Sequence, residues 1–300
     1  MKNSHVGMAL SSGAAFGLAQ IGVLKVFEEE RIPIDAVAGV SIGALIGSLW
    51  AIGKSATEIE AIMMEYNKDK GKVLQLLGDF CFPKESLISG QRIRQFLKRH
   101  LGKKTFRQTR VPLFLVASNL GKQKKIVYHS GIIADAAYSS MAIPGMFSPH
   151  VRSRDLVVDG GVLEPVPVPT LVDAGIRRIV AVNVLPSPED FKKSDSLLRR
   201  AMGRKKRAIE KENVLARLAY HGQLTLRKMF FPNIFDIMVN TILAMEYTMS
   251  QVNCQNADII LHPFIAGVNW FEFFRVKELI KKGEEVTRKN LGAIKACVGK

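Results

Sequence analysis

Cysteine is nearly absent from this chain of 300 residues: Cys81, Cys254 and Cys297 are odd in number, far apart and in no ligand spacing. That excludes a disulfide framework and a cysteine-built zinc site, and it fits a reducing compartment. Histidine is also scarce, six in all, with no H-E-x-x-H or other paired spacing. No loop gathers the clustered carboxylates that calcium takes, so no metal and no cofactor is expected. Acidic residues are short as well. Twenty-seven Asp and Glu face 43 Lys and Arg, a net charge of +16, and an anionic partner or surface is expected.

A convincing membrane span is missing too. Ala36–Gly53, "AVAGVSIGALIGSLWAIG", runs eighteen residues without a charge, near the roughly 20 that a span requires. Its four glycines and two serines fit a buried strand followed by a buried helix better. At the start of the chain, Lys2 precedes the mostly apolar "VGMALSSGAAFGLAQIGVL". Ser11, Ser12 and Gln20 interrupt that run, and it continues into "KVFEEE" without a cleavage site, which argues against a signal peptide. A cytoplasmic protein, peripheral to the inner face of the membrane, is expected.

What is present reads as an α/β fold. Val6–Leu10 is a short apolar run ending in the glycine-rich "SSGAAFG", after which Leu18, Ile21, Leu24 and Phe27 recur at helical spacing. "IPIDAVAG" supplies a second strand and Ile42–Ile52 the next helix. Strand, turn, helix, repeated, predicts a mainly parallel central sheet flanked by helices. Further strands are expected at Val111–Ser118, Lys125–His129, Leu156–Val158, Ile179–Val184 and Asp258–Leu261, the first two as a hairpin across "NLGKQKK". Helices are expected over Ser89–His100, Ile132–Met141, Pro165–Ala174 and Val276–Leu291. The whole chain, 1–300, reads as one domain, with Ser187–Gln255 a basic, mainly helical excursion from the sheet.

Three places carry chemistry. Gly39-Val40-Ser41-Ile42-Gly43 is G-x-S-x-G between a strand and a helix, the pattern of a turn that lifts a serine hydroxyl clear of the backbone. The first turn, Ser12–Gly17, opens a helix whose N–H groups can face a phosphate or an oxyanion. It lacks G-x-G-x-x-G and the Gly-Lys-Ser/Thr of a phosphate loop, which weakens a nucleotide reading. Asp159, in "LVVDGGVLEPVPV", ends a strand just before Gly160-Gly161, the end at which α/β folds place ligands. Taken alone, an Asp-Gly-Gly of this kind reads as a solvated turn.

In order along the chain, the turn Ser12–Gly17 with "IGVL", the elbow Gly39–Gly43, "SSMAIPGMFSP" (Ser139–Pro149), "DGGVLEPVP" (Asp159–Pro167) and the tail "FEFFRVKELIKKG" (Phe271–Gly283) resemble the patatin-like phospholipase family in its bacterial branch. That resemblance covers nearly the whole chain. It implies a three-layer sandwich and a Ser–Asp dyad without histidine: Ser41 the nucleophile, Asp159 its base, and an acyl-enzyme released by water. Backbone N–H groups of Gly13, Ala14 and Ala15 would form the oxyanion hole, with Gly39 and Gly43 shaping the elbow and Gly160 and Gly161 the base turn. The family's first turn usually reads G-G-G-x-Arg/Lys-G, whereas here Ser12 and Ala14 replace two glycines and Phe16 the basic residue. An alanine at positive φ costs roughly 1 kcal/mol or more.

The reading is therefore a serine hydrolase of lipid acyl esters: a phospholipase, lysophospholipase or esterase. One alternative is a catalytically weak lipid-binding regulator on the same fold. Another is a Ser-His-Asp hydrolase drawing on His150, His221 or His262, against which stands the early position of Ser41, after only the second strand. Lys192–Lys211 holds nine basic residues against Asp195 and Glu210. Its neighbour "MFFPNIF" makes an anionic membrane surface the expected contact. No nucleic-acid recognition motif accompanies the charge, and nucleic acid is not expected.

Overall fold

A computed structural model describes residues 6–67, 88–152, 155–194, 196–197, 200 and 233–299. Cys81, His221, the "MFFPNI" stretch up to Pro232 and most of the basic run Lys192–Lys211 lie outside the described residues.

The strands are β1 (Val6–Leu10), β2 (Ala36–Val40), β3 (Leu113–Asn119), β4 (Lys124–Tyr128), β5 (His150–Arg152), β6 (Asp155–Asp159), β7 (Arg178–Val182) and β8 (Ile259–Leu261). Parallel pairs join β1 to β2 and β7, β2 to β3, and β7 to β8. Antiparallel pairs join β3 to β4 and β6, and β5 to β6. The result is the mostly parallel sheet that the sequence predicts, with an antiparallel end and the expected β3–β4 hairpin. The helices that flank it are α1 (Ala19–Glu29), α2 (Ile42–Ala51), α3 (Ala56–Asn67), α4 (Gln91–Leu101), α5 (Ile133–Met141), α6 (Val168–Asp173), α7 (Asn233–Asn253), α8 (Val276–Lys289) and α9 (Leu291–Val298).

All of β1 and β2 and all ten residues of α2 are buried. This accounts for the uncharged Ala36–Gly53 run. Burying each large aliphatic side chain there contributes about 1.5–3 kcal/mol, and a charge on any face would be left in the core. Among the described residues, no helix is long and apolar enough to cross a membrane. Packing is tightest where α1 crosses α8. A Cβ on Gly22 would collide with the Ile280 carbonyl, and one on Gly283 with the Ala19 carbonyl, so the two backbones touch.

Candidate active site

The register of β3 brings Ser41 and Asp159 together. On one edge β3 is paired with β4 from Leu115 to Asn119. The other edge is shared: β2 occupies it up to Val40, opposite Val116, and β6 occupies it from Asp159, opposite Ala117. Because β2 runs parallel to β3 and β6 antiparallel, their C-terminal ends meet head to head at adjacent β3 residues. Ser41 follows the end of one strand and Asp159 is the end of the other. Gly160 completes the junction, since a Cβ there would strike the Val116 carbonyl and sit 3.0 Å from Val40 Cγ1.

Ser41 turns the chain from β2 into α2 at φ 55°, ψ −119°, a conformation that L residues rarely adopt. The glycines on either side are required by close approach: a Cβ on Gly39 would lie 2.5 Å from the Gly43 carbonyl oxygen, and one on Gly43 would run into the Leu10 carbonyl. Ser140, from α5, holds the turn in place. Its hydroxyl accepts from the Ser41 N–H at 2.9 Å and donates to the Val116 carbonyl at 2.6 Å. The next turn of the chain does the same for the acid, as the Asp159 N–H donates to the Ala142 carbonyl at 2.9 Å.

Asp159 is only 3 % exposed, so the solvated-turn reading of Asp-Gly-Gly does not hold. Burial pushes its carboxyl up to about 7, against the pull of a hydrogen bond from the Ser41 side chain and of the Gly161 N–H at 2.8 Å. Nearby stands a residue that the sequence reading did not single out. Glu246 of α7 is 6 % exposed and pushed up to about 8, first by burial and then by the charge of Asp159. The Ser12 hydroxyl donates to its Oε2 at 2.8 Å. One signal was available: Glu246 is the only charged residue between Asp236 and Asp258.

The first turn departs from expectation in one respect. The Ala15 N–H donates to the Trp270 carbonyl at 2.9 Å, so Ala15 is not an oxyanion donor; its amide is spent on holding the turn. Among the described residues, the N–H groups of Gly13 and Ala14 have no hydrogen-bond partner in the protein. Both sit in left-handed conformations, Gly13 at φ 133° and Ala14 at φ 48°, so the substitution at Ala14 carries its steric cost. Phe16, in place of the family's basic residue, is buried against Phe264 with ring centroids 5.4 Å apart.

Two cavities open beside Ser41. One, of about 130 Å³, is walled by Leu18, Leu45, Met63, Ile93, Phe96 and Phe273 among others, and no charged side chain among the described residues lines it. The second, about 30 Å³, is lined by Ser12, Gly13, Asp159, Leu243 and Glu246. Among the described residues, which do not include His221, no histidine lines either cavity. His150 Nδ1 is hydrogen-bonded to the Ser139 hydroxyl, and His262 is held between Asp190 and the Asn183 carbonyl.

Comparison with known proteins identifies a family. The family model described as patatin-like phospholipase matches residues 8–172. Curated relatives include neuropathy target esterase sws of Drosophila melanogaster, 29 % identical over 186 residues, which are 61 % of this chain and 13 % of that protein. Lysophospholipase NTE1 of Cryptococcus neoformans is 28 % identical over 191 residues, 62 % of this chain and 12 % of that protein. Patatin-like phospholipase domain-containing protein 6 of Mus musculus is 29 % identical over 186 residues, 61 % and 14 %. The chain thus spans only about an eighth of the length of these relatives. Among solved structures, VipD from Legionella pneumophila superposes with a TM-score of 0.49 at 14 % identity, covering 96 % of this chain and 67 % of that one.

Proposed function

Because the chain belongs to the patatin-like phospholipase family, we propose that it hydrolyses lipid acyl esters, with Ser41 as nucleophile and Asp159 as its base. The observation that carries this reading is the head-to-head meeting of β2 and β6 on one edge of β3, which sets a serine in a strained turn against a buried carboxyl. A serine of ordinary pKa needs such a base within hydrogen-bond reach.

The sequence of steps follows from the chemistry. Ser41 Oγ attacks the ester carbonyl while its proton passes to the Asp159 carboxylate. The oxyanion that forms is met by the N–H groups of Gly13 and Ala14; one such donor typically contributes on the order of 2.7–4 kcal/mol of transition-state stabilisation. Asp159 returns the proton to the departing alcohol, leaving acylated Ser41. Water then attacks the acyl carbon as Asp159 takes its proton, and that proton goes back to Ser41 Oγ as the fatty acid leaves. Asp159 acts only when ionised, so its raised pKa places the rise of activity near neutral pH.

The larger cavity, apolar in its walls apart from Ser41, suits the acyl chain, and the smaller one the alcohol and water. A relative bears the name lysophospholipase, which makes a single-chain phospholipid the first substrate to try. Contact with anionic lipid is part of the same proposal. It is supported by the net charge of +16 and by the outward face of α7, where Ile237, Met245 and Val252 are about 60 % exposed (63 %, 59 % and 63 %). Val239 and Leu243 of the same helix line the smaller cavity. Replacing Arg204, Lys205 and Lys206 with Glu is expected to lower co-sedimentation with anionic liposomes; unchanged binding sinks this part.

The main test is fluorophosphonate labelling together with hydrolysis of a panel of acyl esters. Both are expected in the wild type, to be lost in Ser41→Ala and Asp159→Asn, and to persist in His150→Ala, His221→Ala and His262→Ala. An inert wild type overturns the hydrolase reading in favour of a lipid-binding regulator.

A further inference from the structure

The reaction outlined above leaves one buried ionisable group without a task. Glu246 reaches the site from α7, and its two oxygens have separate surroundings. Oε2 accepts the Ser12 hydroxyl at 2.8 Å, at the start of the turn that carries Gly13 and Ala14. Oε1 hangs over Gly161: a Cβ on that glycine would collide with it and sit 3.2 Å from Asp159 Oδ1. Two carboxyl groups therefore lean over one backbone position, and the same small cavity is lined by both and by Ser41. Among the described residues, the groups shown to act on Glu246 are the Asp159 carboxyl at the end of β6 and the Ser12 hydroxyl of the first turn, while Ser41 lines the same cavity. Among the described residues, no Lys, Arg or His lines that cavity.

We infer that Glu246 is a positioning residue of the site, resting on the function proposed above. While neutral it braces the Ser12–Ala14 turn and leaves Asp159 as the only charge; on ionising it shuts the reaction down. The physical reason is electrostatic. Acyl transfer builds a negative charge at the oxyanion, close to Asp159 at the moment that Asp159 gives up its own by accepting the Ser41 proton. A second carboxylate in a buried cavity, with no cation among the described residues lining it, raises the energy of that oxyanion. Burial, followed by the charge of Asp159, holds the Glu246 proton on into the alkaline range. As two neighbouring acids they titrate as a pair. The first loss of a proton turns the site on and the second turns it off.

Glu246→Gln separates this role from simple packing, because the amide keeps the shape and can still accept the Ser12 hydroxyl but never ionises. The experiment is the pH profile of kcat/KM for the full chain on a soluble acyl ester. The wild type is expected to show an acid limb and an alkaline limb. In Glu246→Gln the acid limb stays and the alkaline limb disappears, leaving the variant about tenfold more active relative to its optimum one pH unit beyond the wild-type limb. Ser12→Ala removes a bond that favours the ionised form, and is expected to lower kcat while moving the alkaline limb to higher pH. A wild type without an alkaline limb, or a Glu246→Gln profile that keeps it, overturns the inference.

Infrared spectroscopy supplies a readout that does not need turnover. At pH 6 a carboxylic-acid C=O absorption is expected in the wild type and in Asp159→Asn, where Asp159 cannot contribute, and is expected to vanish from Asp159→Asn when Glu246→Gln is added. Its absence from the wild type also overturns the inference. Loss of fluorophosphonate labelling in the wild type would instead overturn the hydrolase reading, so the two failures are distinguishable.

Discussion

The two sides of Ser41 are built from opposite materials. Toward Leu45, Met63 and Phe96 the walls are apolar and the cavity is the larger. Toward Asp159 and Glu246 two acids are buried, and among the described residues no cation lines the space. The apolar side is inexpensive to build, since each methylene removed from water contributes about 0.8 kcal/mol. Keeping acids in the other side costs desolvation, visible in the raised pKa values of both carboxyl groups. A stable fold has no need of that second wall. The asymmetry points to the polar side as the seat of bond-making and to the apolar side as the place where a hydrocarbon chain rests.

The largest expected effect comes from disabling the polar side. Asp159→Asn keeps its size and removes the base, and kcat/KM is expected to fall by about 10²–10⁴-fold; retention of wild-type turnover would reduce that wall to mere structure. Filling the apolar side acts on selectivity. Met63→Trp is expected to lower the ratio of kcat/KM for long over short acyl esters by about 10–100-fold while leaving short esters nearly untouched. An unchanged ratio would place the chain elsewhere. Gly161→Ala pushes a methyl group between the two acids and is expected to cost about 1–3 kcal/mol of stability in denaturant unfolding.

The smallest effect is on stability against pH. Folding raises the pKa of both acids, from 3.8 to about 7 and from 4.5 to about 8. The native state therefore holds more protons than the unfolded chain between those values, and this contribution to stability falls as pH climbs through the window. Surface carboxyls such as Glu30 and Asp155 are shifted down by lysines and act in the opposite sense at lower pH. The informative quantity is thus a difference: the thermal midpoint of the wild type is expected to drop more steeply over the window than that of Glu246→Gln.

Much of this arrangement was legible in residue order. Strand β1 falls where the apolar run Val6–Leu10 predicts it, and the elbow sits between a strand and a helix as G-x-S-x-G predicts, its glycines leaving room for the close approach of the chain. What escaped depends on distance along the chain. That β6 runs antiparallel and shares an edge of β3 with β2 is a matter of pairing partners, and hydrophobic alternation carries no direction. Strand β5, three residues long, is too short for a periodic signal. Glu246 reads as a lone acid on an apolar helix until α7 is laid beside Gly161. Trp270 acts through its carbonyl, which any residue could supply, so nothing in its side chain announces that it claims the Ala15 amide.

That last bond bears on the order of events during synthesis. The turn bearing Gly13 is tied to a carbonyl more than two hundred and fifty residues later, and the first helix lies backbone to backbone with one that begins at Val276. A ribosome delivers Ser41 well before the clamp over it. Contacts of such long sequence separation close slowly. A nascent chain would carry Ser41 through more than two hundred further residues before the turn at Gly13 is locked.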